Sequence, residues 1–354
     1  MTPYVEISID KVLQNWAVVK SLGDAHGVRI SAVTKGLTGY APLTEVLVEA
    51  GVTSVCESRV QALRRLAPLA VEKWMIRLPL LSEVSDVVQF CDISLNTEID
   101  VVKALGQAAI AQGKTHKVVV MAELGETREG VMPDDLVAVC KQVAATPGVT
   151  LHGLGTAFGC YSDIVPSESN MAALAEAASD IENHLGKKLS VVSAGGTVAL
   201  PMLAAGSLPS KINHLRVGDA IWTGIMANFG TPLPGGATYP FSLHAEIIEL
   251  KTKPSMPTGE RAPAETPLAL DPNFSDHGLR RRALAGVGRQ DVDFNNLTPL
   301  DEGVQLLGGS SDVVVVDLTD CPTDYRVGDE LSFAMGYFAI VPAMVSDFVE
   351  KRLI

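Results

Sequence analysis

The chain has 354 residues, 47% of them hydrophobic, enough for one large domain and a smaller one, or two of middle size, with an ample core. A formal net charge of −13 argues against a nucleic-acid or anionic-membrane surface, where clustered Lys and Arg are needed. Five cysteines, odd in number and spread mostly through apolar runs, read as reduced thiols in the cytoplasm, and no CxxC or His/Cys cluster suggests a metal.

At the N-terminus, TPYVEISID lacks the basic, apolar and cleavage-site order of a signal peptide, and no apolar run in the chain reaches membrane-spanning length. VEISID alternates as a half-buried strand, and Asp10 is read as the cap of a helix through Val12, Trp16 and Val19. Arg29 to Tyr40, RISAVTKGLTGY, is a short apolar run, a lysine and a loop with two glycines. It reads as a strand buried on both faces that delivers Lys35 to an open mouth. Leu43, Val46, Leu47 and Ala50 then share one helical face, Gly51 ends that helix, and TSVCES is the next strand, which completes a βαβ unit.

The alternation continues through KWMIRLP, DISLNT, KVVVMAEL, TLHGLGTAF, LSVVSAGG and NHLRVGDAI. Helical spacing appears between them, at Leu136, Val139, Cys140 and Val143 and at Met171, Leu174, Ala175 and Ala178. This pattern predicts an α/β fold with a TIM-type (β/α)8 barrel over residues 10–235, an open doubly wound sheet being the alternative. After Trp222 the texture changes. Asn228 to Pro240, NFGTPLPGGATYP, reads as a linker, and FSLHAEIIELK, RRALAGVG, VQLLGGSSDVVVVDLTD and YRVGDELSFA read as strands. Period 2 places Val327, Leu331 and Phe333 on one face, and Pro254 to Gly278 reads as a long polar, Pro-rich loop. Residues 241–354 are expected to form a C-terminal mainly-β domain, joined by the strand at residues 1–9.

In a (β/α)8 barrel the reactive groups sit at the C-terminal strand ends. Those ends carry Lys35, Glu57, Glu123 with Arg128 beyond it, Thr156, the run Gly195, Gly196 and Thr197, and Arg216 with Gly218. A lysine there can form a Schiff base with an aldehyde cofactor, and the glycine-rich ends SAGGT and RVGD offer backbone N–H groups to a phosphate. Taken together they read as a pyridoxal 5'-phosphate site. Taken singly, Lys35 could be a solvated strand end, SAGGT a tight turn, Arg216 a surface ion pair, and Glu57 and Glu123 the partners of Arg59 and Arg128.

The segments EISIDKVLQN, AVTKG, ELGETREGVMPDDL, GLGTAFGCY, INHLRVGDAIWTG, HAEIIELKTKP, GVGRQDV, LGGSSDVVVVD and GDELSFAMGYFAIVPAMVS run in this order over essentially the whole chain. They resemble the fold-type III pyridoxal phosphate enzymes of the alanine racemase class, most closely its ornithine racemase-like group. The resemblance implies racemisation of a free amino acid by Cα proton abstraction, with a basic substrate such as ornithine or lysine favoured and alanine or serine as alternatives. It also implies a homodimer with shared active sites. Lys35 would hold the cofactor and act as one base, and Arg216 would face the pyridine nitrogen. Gly196, Thr197, Gly218, Asp219 and Tyr337 would bind the cofactor at its phosphate. Arg128 would meet the phenolic oxygen and the substrate carboxylate, while Ser311 and Asp312 would reach in from the β domain.

Departures from alanine racemase accompany the resemblance. GVGRQDV places Arg289, among the expected substrate contacts, where alanine racemases carry a catalytic tyrosine, and a guanidinium is a poor base. The opposite-face base is therefore open among Tyr337, Cys160 and Asp291. Ala157 and Met121 stand where those enzymes place a histidine and a lysine. A substrate's terminal ammonium calls for a carboxylate, with Asp312, Asp291 and Glu57 as candidates. Two competing readings remain. One is a pyridoxal phosphate-dependent decarboxylase of basic amino acids, against which Arg216 speaks. The other is a non-catalytic pyridoxal phosphate-binding protein, against which the β domain speaks.

Overall fold

The computed structural model describes residues 3–260 and 274–354. Its chain divides into two compact units, Val12–Thr238 and Met1–Lys11 with Tyr239–Ile354. Strand β1 (Tyr4–Ile7) belongs to the second unit. The first is built on β2 (Arg29–Val33), β3 (Ser54–Glu57), β4 (Glu72–Met75), β5 (Ile93–Asn96), β6 (His116–Met121), β7 (Val149–Thr156), β8 (Val191–Ala194) and β9 (His214–Val217).

These strands pair in chain order, all parallel, and β2 pairs with β9 from Arg29↔His214 to Ala32↔Val217. The sheet is thus closed, a TIM-type barrel rather than the open alternative. Short apolar runs make such strands because both faces are covered, by the barrel interior and by the helices outside. Val33, Cys56, Trp74, Ile93, Leu95, Val119, Met121, Ala157 and Val191 form one buried cluster. Helices Ala41–Glu49, Ile99–Ala111, Leu136–Ala145 and Glu168–Leu185 are among those that link successive strands. Sequence punctuates the longest of these: Ser167 accepts from Asn170 N at its start, and Gly186 at φ 61° ends it.

Local differences from the sequence reading have simple causes. The first helix, Ile9–His26, begins before Asp10, so that carboxylate lies in the first turn, where the helix dipole favours it, rather than at the cap. Strand β2 stops at Val33, and Lys35 opens a one-turn 3-10 helix, Lys35–Leu37, that closes on Thr38 at φ 53°.

In the second unit, β1 runs antiparallel to Phe241–Pro254 (Tyr4↔His244) and parallel to Glu350–Leu353 (Tyr4↔Glu350). The sheet continues from Phe241–Pro254 to Glu330–Met335 and Leu297–Pro299 on one side, and to Leu279–Ala285, Val314–Asp317 and Gln305–Gly309 on the other. Leu331 and Phe333 are buried as the alternation requires. Val327 is not: it precedes the strand and is 60% exposed. The strand starting at Phe241 runs to Pro254, and residues 261–273 of the expected polar loop lie outside the described residues. Tyr337–Val345 is a helix inside this otherwise strand-rich unit, with Pro342 within it. No helix among the described residues is long and apolar enough to cross a membrane.

Candidate active site

Barrel closure gathers the C-terminal strand ends into one mouth. Lys35 stands there on a loop held from below by Glu57, the last residue of β3. Glu57 is 1% exposed, and its Oε1 accepts from Thr34 Oγ1 at 2.7 Å and from Gly39 N at 3.1 Å, the residues that bracket Lys35. Burial pushes the Glu57 carboxyl up to about 7, with the Thr34 and backbone hydrogen bonds and the charge of Lys35 pulling the other way. Glu57 thereby holds the two ends of the Lys35 turn. Trp222 Nε1 donates to Val33 O at 2.7 Å, which ties the end of β2 to the segment after β9.

The two glycine-rich turns lie side by side, since Ala220 N donates to Thr197 Oγ1 at 3.3 Å. Neither turn has room for a side chain at its key glycine. A Cβ on Gly196 would meet Arg216 O at 2.8 Å, and one on Gly218 would meet Val33 Cβ at 2.9 Å. Asp219 follows as the first residue of a short helix, Asp219–Thr223.

Arg216 lies inside the barrel, 8% exposed. Its Nη1 donates to Ser193 Oγ and its Nη2 to Thr156 O at 2.8 Å, so both identified acceptors are neutral. Burial lowers its pKa, but a guanidinium keeps its proton all the same.

Arg128 lies on the loop after β6. It makes a two-pronged pair with Glu129, which raises its pKa further, and the Cys160 thiol lies beside the same guanidinium. Glu123, whose pairing with Arg128 was the non-functional alternative, accepts from Gly125 N at 2.6 Å and Thr127 N at 3.0 Å within its own turn. Glu126, 2% exposed, accepts from the backbone N–H groups of Gly159, Cys160, Tyr161 and Ser162. Burial alone would raise its pKa, but these donors hold it below the usual value. It thus clamps the Cys160 loop to the Arg128 loop.

The remaining candidates belong to the second unit. Arg289 N donates to Ser310 O at 3.0 Å and Gln290 N to Ser311 O at 3.1 Å, which brings GRQD against SSD. Gly288 permits this approach, since a Cβ there would meet Ser311 O at 2.1 Å. Asp312 accepts from Ser310 Oγ at 2.6 Å, which lowers its pKa. Arg289 stacks over Phe294 at 5.1 Å. Tyr337 opens its helix half-buried, edge-on to Phe338. Asp291, 4% exposed, accepts from Ser346 Oγ at 2.6 Å, just past the end of that helix.

The model of the alanine racemase N-terminal domain family matches residues 7–225. The chain belongs to this alanine racemase family. Within it, the chain is 34% identical to the ornithine racemase of Acetoanaerobium sticklandii over 100% of both chains. It is 34% identical to the lysine racemase of Thermotoga maritima, over 99% of this chain and 98% of the other. The structure of an alanine racemase from Bartonella henselae with covalently bound pyridoxal phosphate aligns over 100% of both chains with a TM-score of 0.73 at 15% identity, a likeness of fold.

Sequence reading in terms of the alanine racemase family passed over two features. Glu126 was hidden within a polar motif, and a run of buried polar groups, Ser31, Ser54, Ser193 and His214, sits on the barrel strands. The signal for the second was present: polar residues interrupt strands that a parallel barrel normally keeps apolar.

Proposed function

We propose that the protein racemises a free basic amino acid, ornithine or lysine, with pyridoxal phosphate as cofactor. The observation that carries this reading is full-length 34% identity to both an ornithine and a lysine racemase, and it is supported by Lys35 opening the one-turn helix just after β2. The residues present fit the cofactor. Gly196 and Gly218 leave bare backbone at the two adjoining turns, and Arg216 is a buried cation whose identified acceptors are neutral oxygens.

The cofactor, when bound, supplies an electron sink for the pair left at Cα. Lys35 Nζ would hold it and move the proton at Cα on one face. Arg216 can only donate, so a ring nitrogen facing it stays unprotonated, which moderates the sink and disfavours side reactions. The N–H groups of Gly196, Thr197, Gly218 and Asp219, with Tyr337, would orient the phosphate. Arg128 would bind the substrate carboxylate on exchanging its contact with Glu129. Asp312, ionised and flanked by Ser310 and Ser311, supplies the negative charge a terminal ammonium needs, with Arg289 at the same loop pair. The reading includes a cytoplasmic homodimer with shared sites.

Chiral chromatography of L- and D-ornithine and of L- and D-lysine, incubated with cofactor-loaded protein, tests it. Both enantiomers should converge on an equal mixture, and Lys35→Ala should slow this by at least about a thousandfold. No interconversion by the wild type, or full activity in the variant, would overturn the proposal.

A further inference from the structure

Arg216 is the last link of a buried polar chain that crosses four barrel strands. Ser31 on β2, Ser193 on β8 and His214 on β9 are 0% exposed, and Ser54 on β3 is 1% exposed. Ser193 Oγ receives Arg216 Nη1 and lies 2.9 Å from His214 Nδ1. On the other side of the ring, His214 Nε2 lies 2.7 Å from Ser31 Oγ, which lies 2.5 Å from Ser54 Oγ. The imidazole is stacked on Trp74, with ring centroids 4.6 Å apart and planes within 14° of parallel.

Proton counting gives this chain a direction. A guanidinium only donates, a hydroxyl has one proton to give, and a neutral imidazole has one donor and one acceptor nitrogen. Ser193 Oγ accepts from Arg216, so its own proton is free to go to His214 Nδ1. The imidazole proton then sits on Nε2 and is donated to Ser31, whose own proton can go to Ser54 Oγ or to the neighbouring Cys56 sulfur. With the proton on Nδ1 instead, Ser193 Oγ would face two donors, and its own proton would have no acceptor among the identified bonds. A protonated ring would create the same conflict. Burial, followed by the charges of Arg29, Arg216 and His152, holds the His214 pKa well below its ordinary value.

We propose that His214 is a positioning residue: by accepting the Ser193 proton it turns a lone pair of that hydroxyl toward Arg216 Nη1, and so helps to orient the guanidinium. Thr156 O holds the second prong, at Nη2. Two neutral acceptors therefore pin the cation in place without neutralising it. One of its remaining N–H groups is then available to a fixed acceptor, which, on the functional reading above, is the cofactor ring nitrogen. A carboxylate in the place of Ser193 would pin Arg216 too, but would cancel the charge that sets the electronics of the ring.

The test is ¹⁵N-resolved NMR of the histidine rings in the cofactor-loaded wild type and in Ser193→Ala, with the visible absorption band and the kcat and KM of each. The proposal requires the Nε2–H tautomer at His214 in the wild type. In Ser193→Ala, the cofactor band should shift and kcat should fall roughly ten- to a hundredfold, with KM within about twofold. His214→Leu should behave like Ser193→Ala, and His214→Asn, which keeps an acceptor for Ser193, should recover most of what His214→Leu loses. An Nδ1–H tautomer in the wild type would overturn the proposal, as would a wild-type band and kcat in Ser193→Ala. Protein that takes up no cofactor would sink the functional reading by itself, and the tautomer would still decide the relay.

Discussion

Glu57 carries its cost in the open. A carboxyl at 1% exposure, raised by burial from 4.5 to about 7, keeps a proton that the unfolded chain has already released between those pH values. The folded state thus binds more protons than the unfolded state, and stability falls as pH rises through that window, by roughly 3 kcal/mol, then levels off above it. Glu57→Gln should remove this slope while preserving acceptors for Thr34 and Gly39. Urea unfolding of both proteins at pH 5 and pH 8 checks it, and an unchanged slope in the variant would refute the assignment. Lys35 and Arg216 were legible in the sequence because a strand end fixes where a residue goes. The Arg128–Glu129 pair was not, because it depends on a turn in which Thr127 sits at φ 55° and Gly130 at φ 154°. Glu123 is drawn into that turn by the backbone N–H groups of Gly125 and Thr127, which no spacing rule foretells.

Among elements, the turn after β9 is sharply constrained. Gly218 has φ −133°, which any residue can adopt, so its need for glycine is steric and lies in the contact with Val33. Gly218→Ala should push that turn off β2, costing about 1–3 kcal/mol and weakening pyridoxal phosphate binding by roughly tenfold. Absorbance titration with the cofactor and a thermal melt measure both. Unchanged affinity would remove this turn from the cofactor site. The barrel strands could be read from sequence because each is a short apolar run between a helical face and a turn. Tyr337–Val345 resisted the same reading. YFAIVPAMV is apolar nearly throughout, so it has little helical periodicity, and Pro342 speaks against a helix on local grounds.

At the scale of the whole molecule, the regular alternation over Val12–Thr238 revealed the barrel, whereas the sheet of the second unit depends on pairings far apart in sequence, such as β1 with Glu350–Leu353. Lys35 lies in one unit and Asp312 in the other. If sites are shared across a homodimer, co-expressing Lys35→Ala with Asp312→Asn should restore activity that neither variant has alone, up to about one quarter of the wild-type sites. No recovery in isolated mixed dimers would show that each chain completes its own site. The claim beneath all of this is that Lys35 is the residue that takes the cofactor. Borohydride reduction of the cofactor-loaded protein, followed by peptide mass mapping, tests it most directly. A pyridoxyl adduct on Lys35 and loss of the visible band on reduction are the expected result. An adduct on another lysine, or no adduct at all, would contradict it.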